Sequence, residues 1–160
     1  MALIEHIIFD LDGVLTDGKQ HVNYKGQKVT KAFNARDKLA MKRLIARGMK
    51  ITILTLDDWP GAKVWFENIG CEFVATKDKS QYPINSENSI GVGDDRDDWQ
   101  WLSKCTYSFA VSDADPLLKE ITRALHCKGG KGVVNHIENF LYDTHNRASL
   151  IFQDYYATIC

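Results

Sequence analysis

No stretch of this chain approaches the ~20 consecutive apolar residues that a membrane-spanning helix needs. An excess of one charge is also missing: 20 Lys and Arg stand against 21 Asp and Glu, a formal net charge of −1. That balance gives no electrostatic reason for a nucleic acid or an anionic membrane surface as partner. Cysteine is sparse and badly spaced for metal. The four, Cys71, Cys105, Cys127 and Cys160, form no C-x-x-C pair and no Cys/His cluster with zinc spacing. Reduced core thiols in a cytoplasmic protein are the expectation, with Cys160 as a candidate surface thiol. The first residues carry neither a basic region nor a cleavage site, so no secretory signal is expected. Internal repeats and low-complexity linkers are absent, and 160 residues suit one domain with its own core.

What the chain does contain is alternation of strand and helix patterns. Leu3 to Phe9, Lys50 to Thr55, Glu72 to Ala75, Ser89 to Gly93 and Tyr107 to Val111 read as strands. Lys19 to Tyr24 and Val29 to Phe33, joined by a turn at Lys25-Gly26-Gln27, read as a β-hairpin, a flap over about 18–33. Asp37 can cap a helix with the apolar stripe Leu39, Met41, Leu44 and Ile45, ended by Gly48. Pro60 and Pro116 sit where helices start, the second helix reaching about Leu125. Val133 to Tyr142 is amphipathic. Apolar strands alternating with helices predict a parallel sheet covered on both faces. Right-handed crossovers then bring the strand exits, with Asp10, Thr55 and Asp94, to one edge.

The chemistry concentrates there. Ile7-Ile8-Phe9 runs into Asp10 and Asp12, two carboxylates one residue apart, followed by Gly13 and then Asp17-Gly18. Like charges crowded at a strand exit raise a pKa or demand a cation, and strand carboxyl ends are where open α/β sheets bind ligands. A second acidic cluster, Asp94-Asp95-Arg96-Asp97-Asp98, follows the strand at Ser89 to Gly93. Taken alone, such a run is ordinary chemistry for a helix start.

The string FDLDGVLTDG resembles the signature of the haloacid dehalogenase superfamily, and in particular its small cap-less phosphatases of the 3-deoxy-D-manno-octulosonate 8-phosphate phosphatase type. The resemblance covers roughly 4–142. It implies a Rossmann-like α/β three-layer sandwich with a central parallel sheet and a protruding hairpin in place of a large cap domain. The phosphatase domain would span 1–143, and 144–160 would form a tail, either a packed helix or an interface segment. The activity implied is Mg2+-dependent hydrolysis of a phosphomonoester through an aspartyl-phosphate, on a small-molecule sugar-acid phosphate of the octulosonate or nonulosonate type. By the same resemblance Asp10 is the nucleophile and Asp12 the general acid and base. Asp10, Asp94 and the Asp12 carbonyl hold the metal, while Asp95 and Asp98 orient those ligands. Thr55, Gly13 and Lys79 bind phosphate, and Lys79 also pairs with the nucleophile, with Lys77 as the alternative. Arg36, in Phe33-Asn34-Ala35-Arg36-Asp37, and Lys131, in the Gly129–Val134 loop, are candidates for substrate contact. Arg36 could equally pair with an acid. A homotetramer is implied, with the hairpin as contact and partial lid and the Gly129–Val134 loop approaching a neighbouring subunit's site.

Four departures from the family pattern stand out. Leu56-Asp57 follows Thr55 where Gly-Arg is usual, Asp97 replaces an Asn, and Lys38 replaces a Gly. Only fifteen positions separate Lys79 from Asp94, and Pro83 with Asn85-Ser86-Glu87-Asn88 predicts a loop where the family fits a helix. These departures keep two alternatives open: a phosphatase for another small phosphate such as a nucleotide or sugar phosphate, and a catalytically degenerate oligomeric binding module.

Overall fold

A computed structural model describes residues 3–145, with the side chains of 143–145 excepted. The strands are β1 (His6–Phe9), β2 (His21–Val22), β3 (Lys28–Thr30), β4 (Lys50–Thr55), β5 (Glu72–Ala75), β6 (Ser89–Gly93), β7 (Tyr107–Ala110) and β8 (Arg123–Ala124). The helices are α1 (Ala35–Ala46), α2 (Pro60–Glu67), α3 (Trp99–Leu102), α4 (Pro116–Ile121) and α5 (Val133–His145). Six strands form one parallel sheet in the order β5-β4-β1-β6-β7-β8, and β2 pairs with β3 in a separate antiparallel hairpin. Sheet strands Lys50–Thr55, Glu72–Ala75 and Ser89–Gly93 coincide with the sequence expectation.

The order reverses between β1 and β6. From β1 the chain winds outward through α1 to β4 and α2 to β5; from β6 it winds the other way to β7 and β8. Right-handed crossovers therefore place α1 and α2 on one face and α3 and α4 on the other. The reversal opens a crevice at the carboxyl ends of β1 and β6, the natural ligand position in such a sheet. Both strands are buried on both faces: Ile7, Ile8, Phe9, Ile90 and Val92 are fully enclosed. Gly91 and Gly93 let α3 approach closely. A Cβ on Gly91 would lie 2.7 Å from both Cys105 Sγ and Leu102 Cδ2, and one on Gly93 would lie 2.7 Å from Asp98 Oδ2.

Two expectations are corrected. Helix α4 stops at Ile121, and Arg123–Ala124 pairs with Phe109–Ala110 as the edge strand β8; a two-residue strand is too short to leave a period-2 pattern. Asp37 does not cap its own helix. Asn34 does, its side chain accepting from Arg36 N. Asp37 is buried and its Oδ1 accepts from Val134 N at 3.0 Å and Asn135 N at 3.4 Å. It thus satisfies the free amides at the start of α5 and ties that helix to α1. The tail at 146–160 lies outside the described residues. Among the described residues, no helix is long and apolar enough to cross a membrane.

Replacing Asp37 with Ala removes a side-chain acceptor at a helix start inside the protein. A loss of about 1–2 kcal/mol in unfolding free energy is expected, read as a lower urea midpoint at unchanged slope.

Candidate active site

The backbone after β1 turns sharply. Asp10 N donates to Val92 O at 3.0 Å, so Asp10 still belongs to the sheet edge. A wide turn over Leu11–Leu15 follows, with Gly13 at φ +88°. A Cβ at Gly13 would lie 1.8 Å from Asp94 Oδ2, so a glycine is required both for the backbone angle and for the space. This turn lets the exits of β1 and β6 bring their carboxylates together. Oxygens of Asp10, Asp94 and Asp98 lie within 4.8 Å of one another.

Lys79 reaches into this cluster. Its Nζ donates to Asp10 Oδ1 at 2.7 Å and to Asp98 Oδ1 at 2.8 Å. The expected loop does replace a helix here, since only a 3-10 turn at Lys79–Gln81 follows β5. The lysine is nevertheless in place. The side chain of Asp78 caps the turn through Ser80 N, and the ion pairs fix the far end. Asp98 is buried and fully engaged: Oδ1 also accepts from Trp101 Nε1 at 3.0 Å, and Oδ2 accepts from the amides of Asp94 and Asp95. Asp95 and Asp98 together form a reciprocal cap at the 3-10 turn Arg96–Asp98. The acidic run is thus folded into a fixed loop that sets Asp94 against Asp10.

Electrostatics follow from the crowding. Burial, with Asp98 and Asp94 beside it, holds the Asp10 carboxyl well above the usual carboxylate range despite the opposing Lys79. Burial, with Asp98 and Asp95 adding to it, pushes Asp94 up to about 6, against the hydrogen bond from Asp10 and the nearby Lys79 charge. Lys79 is raised, because the attraction of Asp10 and Asp98 outweighs its own burial. The donor set consists of carboxylate oxygens with no nitrogen or sulfur ligand, which suits a hard divalent cation such as Mg2+, and Gly13 keeps the space before Asp94 clear. The residues fit such an ion.

Asp12 leaves this cluster. Its carboxylate accepts from Lys31 Nζ at 2.7 Å on both oxygens, and Thr16 Oγ1 donates to Oδ1 at 3.3 Å. Thr55 ends β4, buried, with its Oγ1 accepting from Asp57 N. Asp10, Asp12, Thr55, Lys77, Lys79 and Asp94 all border one open cavity of about 700 Å³. Gln20 and Lys28 of the hairpin segment close its side. Arg36 and Lys131 are exposed and do not border the cavity of their own chain. The glycine loop packs on its own chain: Gly130 N donates to Val14 O at 2.8 Å, and a Cβ on Gly129 would lie 1.9 Å from Gly13 O. Sequence reasoning missed Lys31 and the inward role of Lys28. The alternation within the hairpin offered the only signal, and it does not say which lysine turns inward.

No family model matches the chain. A curated relative, the 3-deoxy-D-manno-octulosonate 8-phosphate phosphatase KdsC of Salmonella typhi, is 32% identical over 151 residues, covering 86% of this chain and 79% of its own length. The chain belongs to the 3-deoxy-D-manno-octulosonate 8-phosphate phosphatase family. It is accordingly a haloacid dehalogenase-type phosphoric monoester hydrolase. The cobalt-bound family member from Haemophilus influenzae superposes with a TM-score of 0.83 at 28% identity, covering 92% of each chain. The Moraxella catarrhalis phosphatase, solved with magnesium, phosphate and KDO, shares the fold with a TM-score of 0.83 at 21% identity over 98% of this chain and 94% of that one. Membership explains the retained acidic cluster in spite of the shortened Lys79–Asp94 segment.

Two outcomes test this geometry. Gly13→Ala places a methyl group on the Asp94 carboxylate; Mg2+ affinity should fall at least tenfold by titration calorimetry while the far-ultraviolet circular dichroism is retained. In the metal-free chain, Asp94 has a folded pKa of about 6, raised from 3.8. The folded state therefore holds its proton more tightly than the unfolded state, and stability should fall as pH rises from about 4 through 6. Thermal melting across that window, with and without Mg2+, should show the fall and its reversal by the ion.

Proposed function

We propose that the chain hydrolyses a phosphorylated sugar acid of the 3-deoxy-octulosonate 8-phosphate or nonulosonate 9-phosphate type through an aspartyl-phosphate on Asp10. The observation that carries this is the meeting of Asp10 and Asp94 at the switch point of the sheet, with Lys79 Nζ spanning Asp10 and Asp98. A carboxylate of Asp10 attacks phosphorus, and the bond from phosphorus to the ester oxygen breaks. Asp12 gives its proton to the departing alkoxide. Water then attacks the aspartyl-phosphate and gives its proton to Asp12, and inorganic phosphate leaves with Asp10 restored. Asp12 suits both halves because it borders the cavity outside the carboxylate cluster, with different partners from Asp10. Lys79, the Thr55 hydroxyl and the Gly13 turn balance and seat the phosphoryl oxygens. Asp10, Asp94 and the Asp12 carbonyl would hold Mg2+, which when bound supplies positive charge to the transferring phosphoryl group. Asp95 and Asp98 act through the backbone they fix.

The domain boundary at about residue 143, a homotetramer and a cytoplasmic location belong to the same reading. Val22, Tyr24 and Val29 on the hairpin are exposed, as a subunit contact without a cap domain requires, and Cys71, Cys105 and Cys127 are free thiols. In a tetramer, Arg36 and Lys131 would serve a neighbouring copy's substrate. One observation favours a second reading. Asp57 stands in the loop beside the cavity and Lys28 is paired to it, which suits a sugar phosphate without a carboxylate. The Lys79 contacts weigh against a degenerate binding module.

Phosphate release from a panel of sugar-acid phosphates, neutral sugar phosphates and nucleotides, with Mg2+ or with chelator, separates these readings. The sugar acids are expected to give the highest kcat/KM and chelator to abolish release. Asp10→Asn is expected to eliminate turnover with the fold retained by far-ultraviolet circular dichroism, and phosphate release by that variant at the parent rate would remove the nucleophile assignment.

A further inference from the structure

Lys31 follows β3 at the base of the hairpin, and its side chain is only 2% exposed. An ammonium group out of water must be paired to be tolerated. Its Nζ contacts both oxygens of Asp12 at 2.7 Å and Asp57 Oδ2 at 2.6 Å. The same Asp57 oxygen accepts from Lys28 Nζ at 2.7 Å, while Asp57 N donates to Thr55 Oγ1 at 3.0 Å. Two lysines of the hairpin and two aspartates of the strand-exit loops thus form one chain, Lys28–Asp57–Lys31–Asp12, of zero formal charge when both acids are ionised. Asp57 is the residue that departs from the family's Gly-Arg pattern, and here it holds the far side of Lys31.

We propose that Lys31 is a positioning residue for Asp12, gripped between Asp12 and Asp57 so that the hairpin fixes the direction in which the acid faces the cavity. The inference rests on the reading of Asp12 as the proton donor and acceptor. The geometry leaves Asp12 free to act. Each carboxylate oxygen has two lone pairs, and Oδ2 accepts only the Lys31 bond among the described contacts. Without Lys31, Thr16 Oγ1 at 3.3 Å is the remaining described side-chain partner of Asp12, and the carboxylate swings.

The test is a double-mutant cycle on the Mg2+-loaded protein with the best phosphomonoester of the panel. Lys31→Met should lower kcat roughly 10- to 100-fold, a part of the typical contribution of general acid-base catalysis, with KM within about twofold. In an Asp12→Asn background the same substitution should change kcat less than about twofold, because its effect passes through Asp12. If Lys31→Met does not fold, Lys31→Met/Asp57→Asn keeps the local charge balanced and is read in its place with the same expectation. A Lys31 variant at the parent rate beside an impaired Asp12→Asn overturns this inference alone, as does an equal loss in both backgrounds. Asp12→Asn at the parent rate overturns the acid assignment and the inference with it.

Discussion

Repulsion among carboxylates at the exits of β1 and β6 is the constraint around which this molecule is arranged. Asp10, Asp94 and Asp98 are held within reach of one another at the wall of the cavity, two of them buried. Such a cluster persists only with compensating charge and hydrogen bonds. Lys79 supplies part of the charge. The amides of Asp94 and Asp95 and the Trp101 indole supply the hydrogen bonds to Asp98. The remaining deficit shows as raised carboxyl pKa values, the signature of a site prepared for a dication.

Several unrelated parts of the fold serve this arrangement. The reversal of strand order places the two exits side by side. Gly91 and Gly93 bring α3 against β6, and with it the buried Asp98. Gly13 clears the space before Asp94. On the other side of the cavity the hairpin replaces bulk with charge pairing, and its lysines are held by acids from two different loops. The Asp10–Asp94–Asp98 cluster with its lysine and the Asp12–Asp57 pair with its two lysines are separate electrostatic units. That separation lets Asp10 and Asp12, two residues apart, live in different surroundings.

Much of this was legible in the sequence because burial on both faces leaves continuous apolar runs, as in Lys50–Thr55 and Ser89–Gly93, and because Asp10 and Asp94 follow such runs directly. The position of Lys79 was less legible. A supporting helix leaves a pattern, whereas a 3-10 turn capped by Asp78 and two long-range ion pairs does not. Asp37 misled for a related reason: local spacing suggests a cap on its own helix, but its partners lie at Val134 and Asn135, far along the chain. Lys31 was invisible because nothing in the hairpin's alternation records the acids that meet it from Asp12 and Asp57.

The cavity wall carries eight aspartates and three lysines. Carboxylates in that excess oppose a phosphate dianion, and a divalent cation held beside Asp10 and Asp94 would offset part of that opposition.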